Sequence, residues 1–210
     1  MLPSAVAAWI AGSGSLLVLF LLLHLAGVSL ALLQPQAFEA YATALHQSPW
    51  LLPAEGLLSA ALLGHLGLTA WKLVANRQAG NRSALVSRRA DRWGAWAARS
   101  LPLSAAILLL FLAVHLVQLR WPRPPAGLEL ARLLEVLAQP WWALLYGAAG
   151  LAAGLHLLHG AEAAHRSLGL LNPGNGRAIR TAGRAVALLL GSGFLLVALL
   201  LNGRAVGWLA

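Results

Sequence analysis

Long apolar runs separated by short polar stretches make up most of the chain. Five runs are each about twenty residues long, which is the length that an α-helix needs to cross a bilayer core of about 30 Å. They lie at residues 14–33, 54–74, 101–119, 141–159 and 185–201. The pattern predicts an all-α integral membrane protein, in which five transmembrane helices form one bundle in a single domain over residues 1–210.

The stretches between the runs carry signals for turns and helix ends. Gln34-Pro35 closes the first run, because proline cannot continue a helix, and we expect Gln36–Pro49 to be a loop with a short helical piece. Arg77–Arg99 is a long basic connection, and Asn172-Pro173-Gly174 predicts a turn. Arg123–Pro140 predicts a proline-bounded turn and a short amphipathic helix that lies at the membrane interface rather than crossing it.

The composition supports a membrane protein and excludes several kinds of site. Hydrophobic residues make up 60% of the chain and charged residues only 10%, far from the balance of a soluble domain. Because there is no cysteine, the chain itself holds no disulfide, no cysteine-ligated iron–sulfur cluster and no covalently attached c-type haem. No Lys or Arg precedes Lys72, so we expect the first run to be a retained span after a short lead at residues 1–12, not a signal peptide.

The formal net charge of +9 comes from basic residues between the runs, and eleven of the fifteen fall on one side of the predicted bundle. Positively charged loops of membrane proteins stay in the cytoplasm. We therefore expect a multi-pass protein of the bacterial inner membrane with a cytoplasmic N-terminus and an outer C-terminus, in contact with lipid and with no nucleic acid. The eleven residues are Lys72, Arg77, Arg82, Arg88, Arg89, Arg92, Arg99, Arg166, Arg177, Arg180 and Arg184.

Each of the first four runs contains a histidine in its middle or later part, and an ionisable side chain there is costly and usually functional. Because successive spans run in opposite directions, His24 and His115 lie toward the outer face, whereas His65 and His156 lie toward the cytoplasm. Two imidazoles can hold a haem iron from both sides, and helical bundles commonly hold cofactors between facing helices. The pattern predicts two haems, with iron ligands paired as His65 with His156 and His24 with His115.

The alternative is a set of histidines that hydrogen-bond across helices or form a proton relay. A relay would normally include carboxylates within the membrane, and none of the six acidic residues falls in the middle of a run. His46, His159 and His165 lie in loops or at the end of a run, where structural or solvated roles are expected. His159, one turn after His156, could instead touch a haem propionate or a partner subunit.

Glycines near these histidines allow two interpretations, and both stay open. A porphyrin needs close approach of the backbone, which glycine permits. Small residues also pack membrane helices against one another. The glycines are Gly27, Gly64, Gly67, Gly147, Gly150 and Gly154.

With one histidine in each of the first four spans, and with the stretch HLLHGAEAAHRSLGLLNP at His156–Pro173, the chain resembles a known family. This is the five-span, dihaem cytochrome b subunit of succinate dehydrogenase and fumarate reductase. The resemblance covers roughly residues 10–202. The histidine pattern is its specific part, since a background of Leu and Ala is common to many membrane proteins.

The resemblance implies the membrane anchor of a succinate:quinone oxidoreductase, whose dicarboxylate chemistry takes place in other subunits. Its partners would be a flavoprotein subunit and an iron–sulfur subunit. Electrons would pass through two haems b between the iron–sulfur subunit and membrane quinone, which is menaquinone in many dihaem members. The resemblance assigns His65 and His156 to the haem nearer the iron–sulfur subunit, and His24 and His115 to the distal haem.

The surroundings of these sites are less clearly specified. Some members use a glutamate near the distal haem at the quinone site, and this chain has no clear counterpart. Glu39 and Glu55 lie on that side, but each has the position of a solvated loop or helix-start charge. Arg82–Arg92 and Arg177–Arg184 face the side where soluble subunits would dock and proximal propionates would point, although the positive-inside rule alone also places them there.

Two other classes of protein stay open. One is the dihaem anchor of a formate dehydrogenase, a nitrate reductase or a hydrogenase. Those families often place two ligands on one helix, whereas each of four helices has one here. The other is a haem-free membrane transporter with polar histidines, which an absorption spectrum would separate from the cytochromes.

Overall fold

The computed structural model describes residues 3–80, 92–121 and 123–209, and within them the chain is all-α with no strand. A π-helical turn at Leu116–Arg120 continues the fourth helix. The helices are α1 (Pro3–Leu33), α2 (Pro35–Gln47), α3 (Leu51–Gln78), α4 (Arg92–His115), α5 (Glu129–Ala138), α6 (Pro140–Ser167) and α7 (Gly176–Ala205). The prediction of an all-α protein is confirmed.

Five of these helices are long and apolar enough to cross a membrane: α1, α3, α4 with its π turn, α6 and α7. The five predicted spans are confirmed, but several helices extend well past the apolar runs. The helix of the first run, α1, begins at Pro3, and the helix of the fourth run, α6, continues to Ser167. Glycines with positive φ at Gly80 and Gly169 follow the ends of α3 and α6, so backbone conformation ends these helices rather than a change in hydropathy.

The two short helices lie between spans. The expectation of a loop with a short helical piece at Gln36–Pro49 was wrong in extent, because α2 occupies thirteen residues with Pro35 in its first turn, where a missing N–H costs nothing. The short amphipathic helix predicted within Arg123–Pro140 is confirmed as α5. The turn predicted at Asn172-Pro173-Gly174 is also confirmed, since the Asn172 side chain accepts hydrogen bonds from the N–H groups of Gly174 and Asn175.

The most extensive helix contact is between α6 and α7. A Cβ at Gly150 would lie 2.8 Å from the Leu195 nitrogen, and a Cβ at Gly154 would lie 3.0 Å from the Ala187 carbonyl oxygen. Gly147 likewise faces the Leu195 side chain. Of the two interpretations of these glycines, helix packing is the one that the contacts support.

A second packed region holds α2 and α5 onto the bundle. Its buried side chains come from α1, α2, α5 and α7, and Leu137 and Leu201 are almost fully buried. Asn202 donates to the Leu137 carbonyl oxygen, which adds a polar contact between α7 and the end of α5. The buried members of this cluster are Ala31, Phe38, Ala42, Leu133, Leu137 and Leu201.

Exposed tryptophans form two belts, and tryptophan is enriched where membrane helices meet the interface. Trp50 directly precedes α3 and Trp71 lies within it toward its C-terminal end, twenty-one residues further on, a rise of about 32 Å. This spacing matches a bilayer core of about 30 Å. One belt includes Trp9, Trp71 and Trp96, and the other includes Trp50, Trp121, Trp141, Trp142 and Trp208.

The two ends of the bundle differ in charge. The end with Trp9 and Trp71, here called the basic end, carries most of the arginines in the described segments, whereas the opposite end carries α2, α5 and most of the carboxylates. Arg82, Arg88 and Arg89 of the predicted basic connection lie outside the described residues.

Candidate functional site

The four span histidines lie together as two pairs. The ring centroids of His24 and His115 are 6.0 Å apart, and those of His65 and His156 are 6.4 Å apart. The first pair joins α1 to α4, and the second joins α3 to α6. Each pair is therefore made by two different helices.

These separations fit one metal held between each pair. Two imidazoles that bind one metal from opposite sides, each at about 2 Å, have ring centroids about 6 Å apart. The described residues hold no group of three or more His, Cys, Asp or Glu side chains suited to a metal. Two imidazoles alone suit a haem iron, because the porphyrin supplies the other nitrogens and the protein adds only axial ligands.

The pairs lie at different depths. His65 Nδ1 is 3.1 Å from the Ile10 carbonyl oxygen and 3.3 Å from Ser13 Oγ, near the start of α1. His24 lies eleven residues beyond Ser13 on the same helix, a rise of about 16 Å. The pair that contains His65 is nearer the basic end, and the pair that contains His24 is nearer the opposite end.

The two helices that carry each pair do not pack closely against each other in the described residues. In the described residues, neither α1 with α4 nor α3 with α6 forms an extended backbone contact, although their imidazoles reach one another. Instead α3 packs mainly against α1, and none of its residues is buried. A Cβ at Gly64 or Gly67, beside His65, would meet nothing within 4 Å, so close helix packing does not explain these two glycines.

Aromatic rings surround the pair nearer the α2–α5 end. Phe20 stacks on His24 at 5.4 Å, and Phe194 of α7 lies 6.0 Å from the same ring. Phe111 lies 5.2 Å from His115. These rings make the surroundings of both imidazoles largely apolar, and the Tyr146 hydroxyl, 3.4 Å from His115 Nδ1, is a polar neighbour of this pair.

The pair nearer the basic end has a different surrounding. A Cβ at Gly14 would lie 3.1 Å from the His65 ring, so this glycine lets α1 approach the imidazole. Nδ1 of His156 is buried and has no hydrogen-bond partner within the described parts of the chain. A buried polar nitrogen without a partner is costly, and it marks this ring as one that a bound group could satisfy.

The remaining histidines lie outside the two pairs. His46 is 3.3 Å from the Glu129 carboxylate in the contact between α2 and α5. His165 Nδ1 lies 2.8 Å from the Ala161 carbonyl oxygen on its own helix. His159 lies one turn beyond His156 on α6.

Glu55 and Glu39 both have defined partners, which corrects the expectation of solvated charges. Arg120 donates two hydrogen bonds to the Glu55 carboxylate, at 2.6 and 2.7 Å, and joins the start of α3 to the π turn. Glu39 accepts hydrogen bonds from the N–H groups of Glu129 and Leu130, so it caps α5. Neither carboxylate touches a paired histidine in the contacts that the structure gives.

Glu39 and Glu129 are neighbouring carboxyl groups outside the spans. Burial raises the pKa of Glu39, and the neighbouring Glu129 raises it further. The pKa of Glu129 is lowered: burial acts against this, but hydrogen bonds from the Glu39 carboxyl, the Gly127 N–H and the Thr43 hydroxyl outweigh it.

Sequence reasoning missed the side chains that support the histidines. Tyr146 of α6 lies 3.4 Å from His115 Nδ1, and Ser13 of α1 lies beside His65. Both contacts cross between helices, so no spacing in the sequence indicates them. Gln118, which contacts Tyr146, lies one turn after His115 in the sequence. Its spacing from His115 is therefore the one signal for these supporting side chains that the sequence contains.

No family model, curated protein or solved structure matches this chain.

Proposed function

We propose that the chain is the cytochrome b membrane anchor of a succinate:quinone oxidoreductase. In this role it links an iron–sulfur subunit and a flavoprotein subunit to membrane quinone, with menaquinone as the expected quinone. The observation that supports the role most strongly is the arrangement of four span histidines as two imidazole pairs about 16 Å apart along α1. When bound, haem b supplies one-electron redox chemistry at each pair.

The chain's own residues account for holding two such groups. His65 and His156 would be the axial ligands nearer the basic end, and His24 and His115 those nearer the α2–α5 end. Phe20, Phe111 and Phe194 exclude water from the second pair. The placement of one ligand on each of four helices is what favours this cytochrome over anchors that carry two ligands on one helix.

The choice of enzyme depends on the resemblance in the histidine pattern and on the charge of the two ends. The basic end carries Arg166, Arg177 and Arg180 in its described part. Glu162 pairs with Arg166 at 2.6 Å, and Arg180 lies 4.0 Å from the same carboxylate. Exposed arginines there suit acidic surfaces of soluble subunits and the propionates of the nearer haem. By the positive-inside rule this end faces the cytoplasm.

The test is purification of the complex from its native membrane by a tag on this chain. We expect a flavoprotein and an iron–sulfur protein to co-purify, with two low-spin haems b per chain by pyridine haemochrome analysis. His156→Leu should remove one haem, whereas the matched control His165→Leu should keep both, since the hydrogen bond that the described residues give His165 lies within α6. A wild-type chain without haem would refute the cytochrome, and a molybdenum-containing or hydrogenase partner would refute the choice of enzyme.

A further inference from the structure

The hydroxyl of Tyr146 joins two residues at the end of α4. It lies 3.4 Å from His115 Nδ1 and 3.1 Å from Gln118 Oε1. An amide carbonyl oxygen can only accept a hydrogen bond, so the hydroxyl proton points to Gln118. The Tyr146 oxygen is then left to accept the N–H of His115, which places the ring proton on Nδ1 and leaves Nε2 free as a ligand.

Neighbouring groups hold each member of this chain of hydrogen bonds in place. The Phe111 ring meets the Tyr146 ring edge to face at 4.9 Å. Gln118 lies in the π turn, and Arg132 of α5 donates to its backbone carbonyl oxygen at 3.1 Å. π-helical turns are frequently found at functional sites, and this one begins directly after His115.

We propose that Tyr146 and Gln118 are positioning residues for His115. They fix its tautomer and ring orientation, and they lower the reduction potential of the haem held by His24 and His115. A hydrogen bond accepted from the far ring nitrogen makes an imidazole a more basic ligand, which favours the more highly charged, oxidised iron. This inference rests on the proposed function, because it concerns the same pair.

The other pair differs, because His65 has a backbone partner in addition to a side-chain hydroxyl. His65 Nδ1 lies 3.1 Å from a backbone carbonyl oxygen, that of Ile10, with Ser13 Oγ at 3.3 Å. A backbone carbonyl is present whatever the residue type, so side-chain changes near His65 leave that bond intact. The two sites therefore differ in how their ligands are polarised, and only the site of His115 depends on a phenol.

The experiment uses the native complex with Tyr146→Phe, which keeps the ring and removes the oxygen. The chain has one other tyrosine, so Tyr41→Phe is the matched control. The haem to be compared is the one that His115→Leu removes. In a redox titration monitored by absorption, Tyr146→Phe should show a tenfold lower ratio of oxidised to reduced form of this haem at a given potential. For a one-electron couple this is a rise of about 59 mV in midpoint potential. The other haem and the Tyr41→Phe variant should titrate as in the wild type.

Gln118→Leu provides a second variant that keeps the tyrosine ring in place. It removes the acceptor that orients the phenol, and we expect the same haem to shift in the same direction. Unchanged potentials of both haems in a Tyr146→Phe complex with two haems would overturn the inference. So would a loss of haem in Tyr146→Phe accompanied by a wild-type potential in Gln118→Leu. Failure of the proposed function is distinct, because the unmodified chain would then contain no haem or would co-purify with a different class of enzyme.

Discussion

Replacing Gly154 with alanine tests whether the glycines of α6 serve helix packing or the approach of a porphyrin. A Cβ there would lie 3.0 Å from the Ala187 carbonyl oxygen and 3.1 Å from the Gly191 Cα. Carbon atoms in contact normally lie about 3.5–4.0 Å apart. Because both neighbours are backbone atoms of α7, they cannot rotate away, and the two helices must separate to admit the methyl group.

Overpacking of a close contact costs about 1–3 kcal/mol, and we expect a loss of this size in the free energy of unfolding of Gly154→Ala. Gly160→Ala is the matched control on the same helix, because a Cβ at Gly160 would meet nothing within 4 Å. There the higher helix propensity of alanine should add up to about 1 kcal/mol. The two variants, each with one added methyl group, should therefore differ by about 1–4 kcal/mol in stability.

The assay is unfolding of the purified protein in mixed micelles by a denaturing detergent, followed by circular dichroism and by the haem absorption spectrum. If the glycines serve packing, Gly154→Ala unfolds at lower detergent fraction and keeps its haem content below the transition. Equal stability of Gly154→Ala and Gly160→Ala would refute the reasoning. Loss of haem at an unchanged unfolding midpoint would favour porphyrin approach instead.

Three further changes test the site and its surroundings. His115→Leu should remove one haem and abolish quinone reduction, while succinate oxidation with a soluble acceptor survives; haem content and the two activities measure this. Glu39→Gln should raise the thermal stability above about pH 4.5, because burial beside Glu129 raises the pKa of Glu39 and so disfavours its ionised form in the folded protein. That gain should vanish at more acidic pH, where the glutamate is protonated in both states. Arg120→Glu should destabilise the protein by about 1 kcal/mol or more through repulsion with Glu55, and adding Glu55→Arg should restore part of the loss in detergent unfolding.

Each of these expectations has a contrary result. Quinone reduction at the unmodified rate by His115→Leu enzyme without that haem would show that the site lies off the electron path. A gain from Glu39→Gln that persisted unchanged at acidic pH would show that charge is not its cause. A charge-exchanged protein no more stable than Arg120→Glu alone would show that the ion pair with Glu55 does not hold α3 to the π turn.

Hydropathy and histidine spacing were sufficient to predict the five spans and the depth at which each imidazole lies. Depth follows from counting residues, because a helix rises by a fixed amount per residue and its direction alternates from span to span. The counts that placed His65 with His156 and His24 with His115 are properties of the sequence alone. That these imidazoles bind haem stays a prediction.

Only the tertiary structure decided which faces of the helices meet. Lipid is as apolar as leucine, so hydrophobicity does not determine which side of a membrane helix turns inward. The close approach of Gly154 to α7, the ion pair of Arg120 with Glu55 and the contact of Tyr146 with His115 all depend on the rotation of each helix about its axis. Packing of small residues and pairing of polar groups between helices set that rotation, and both require the partners to be known in three dimensions.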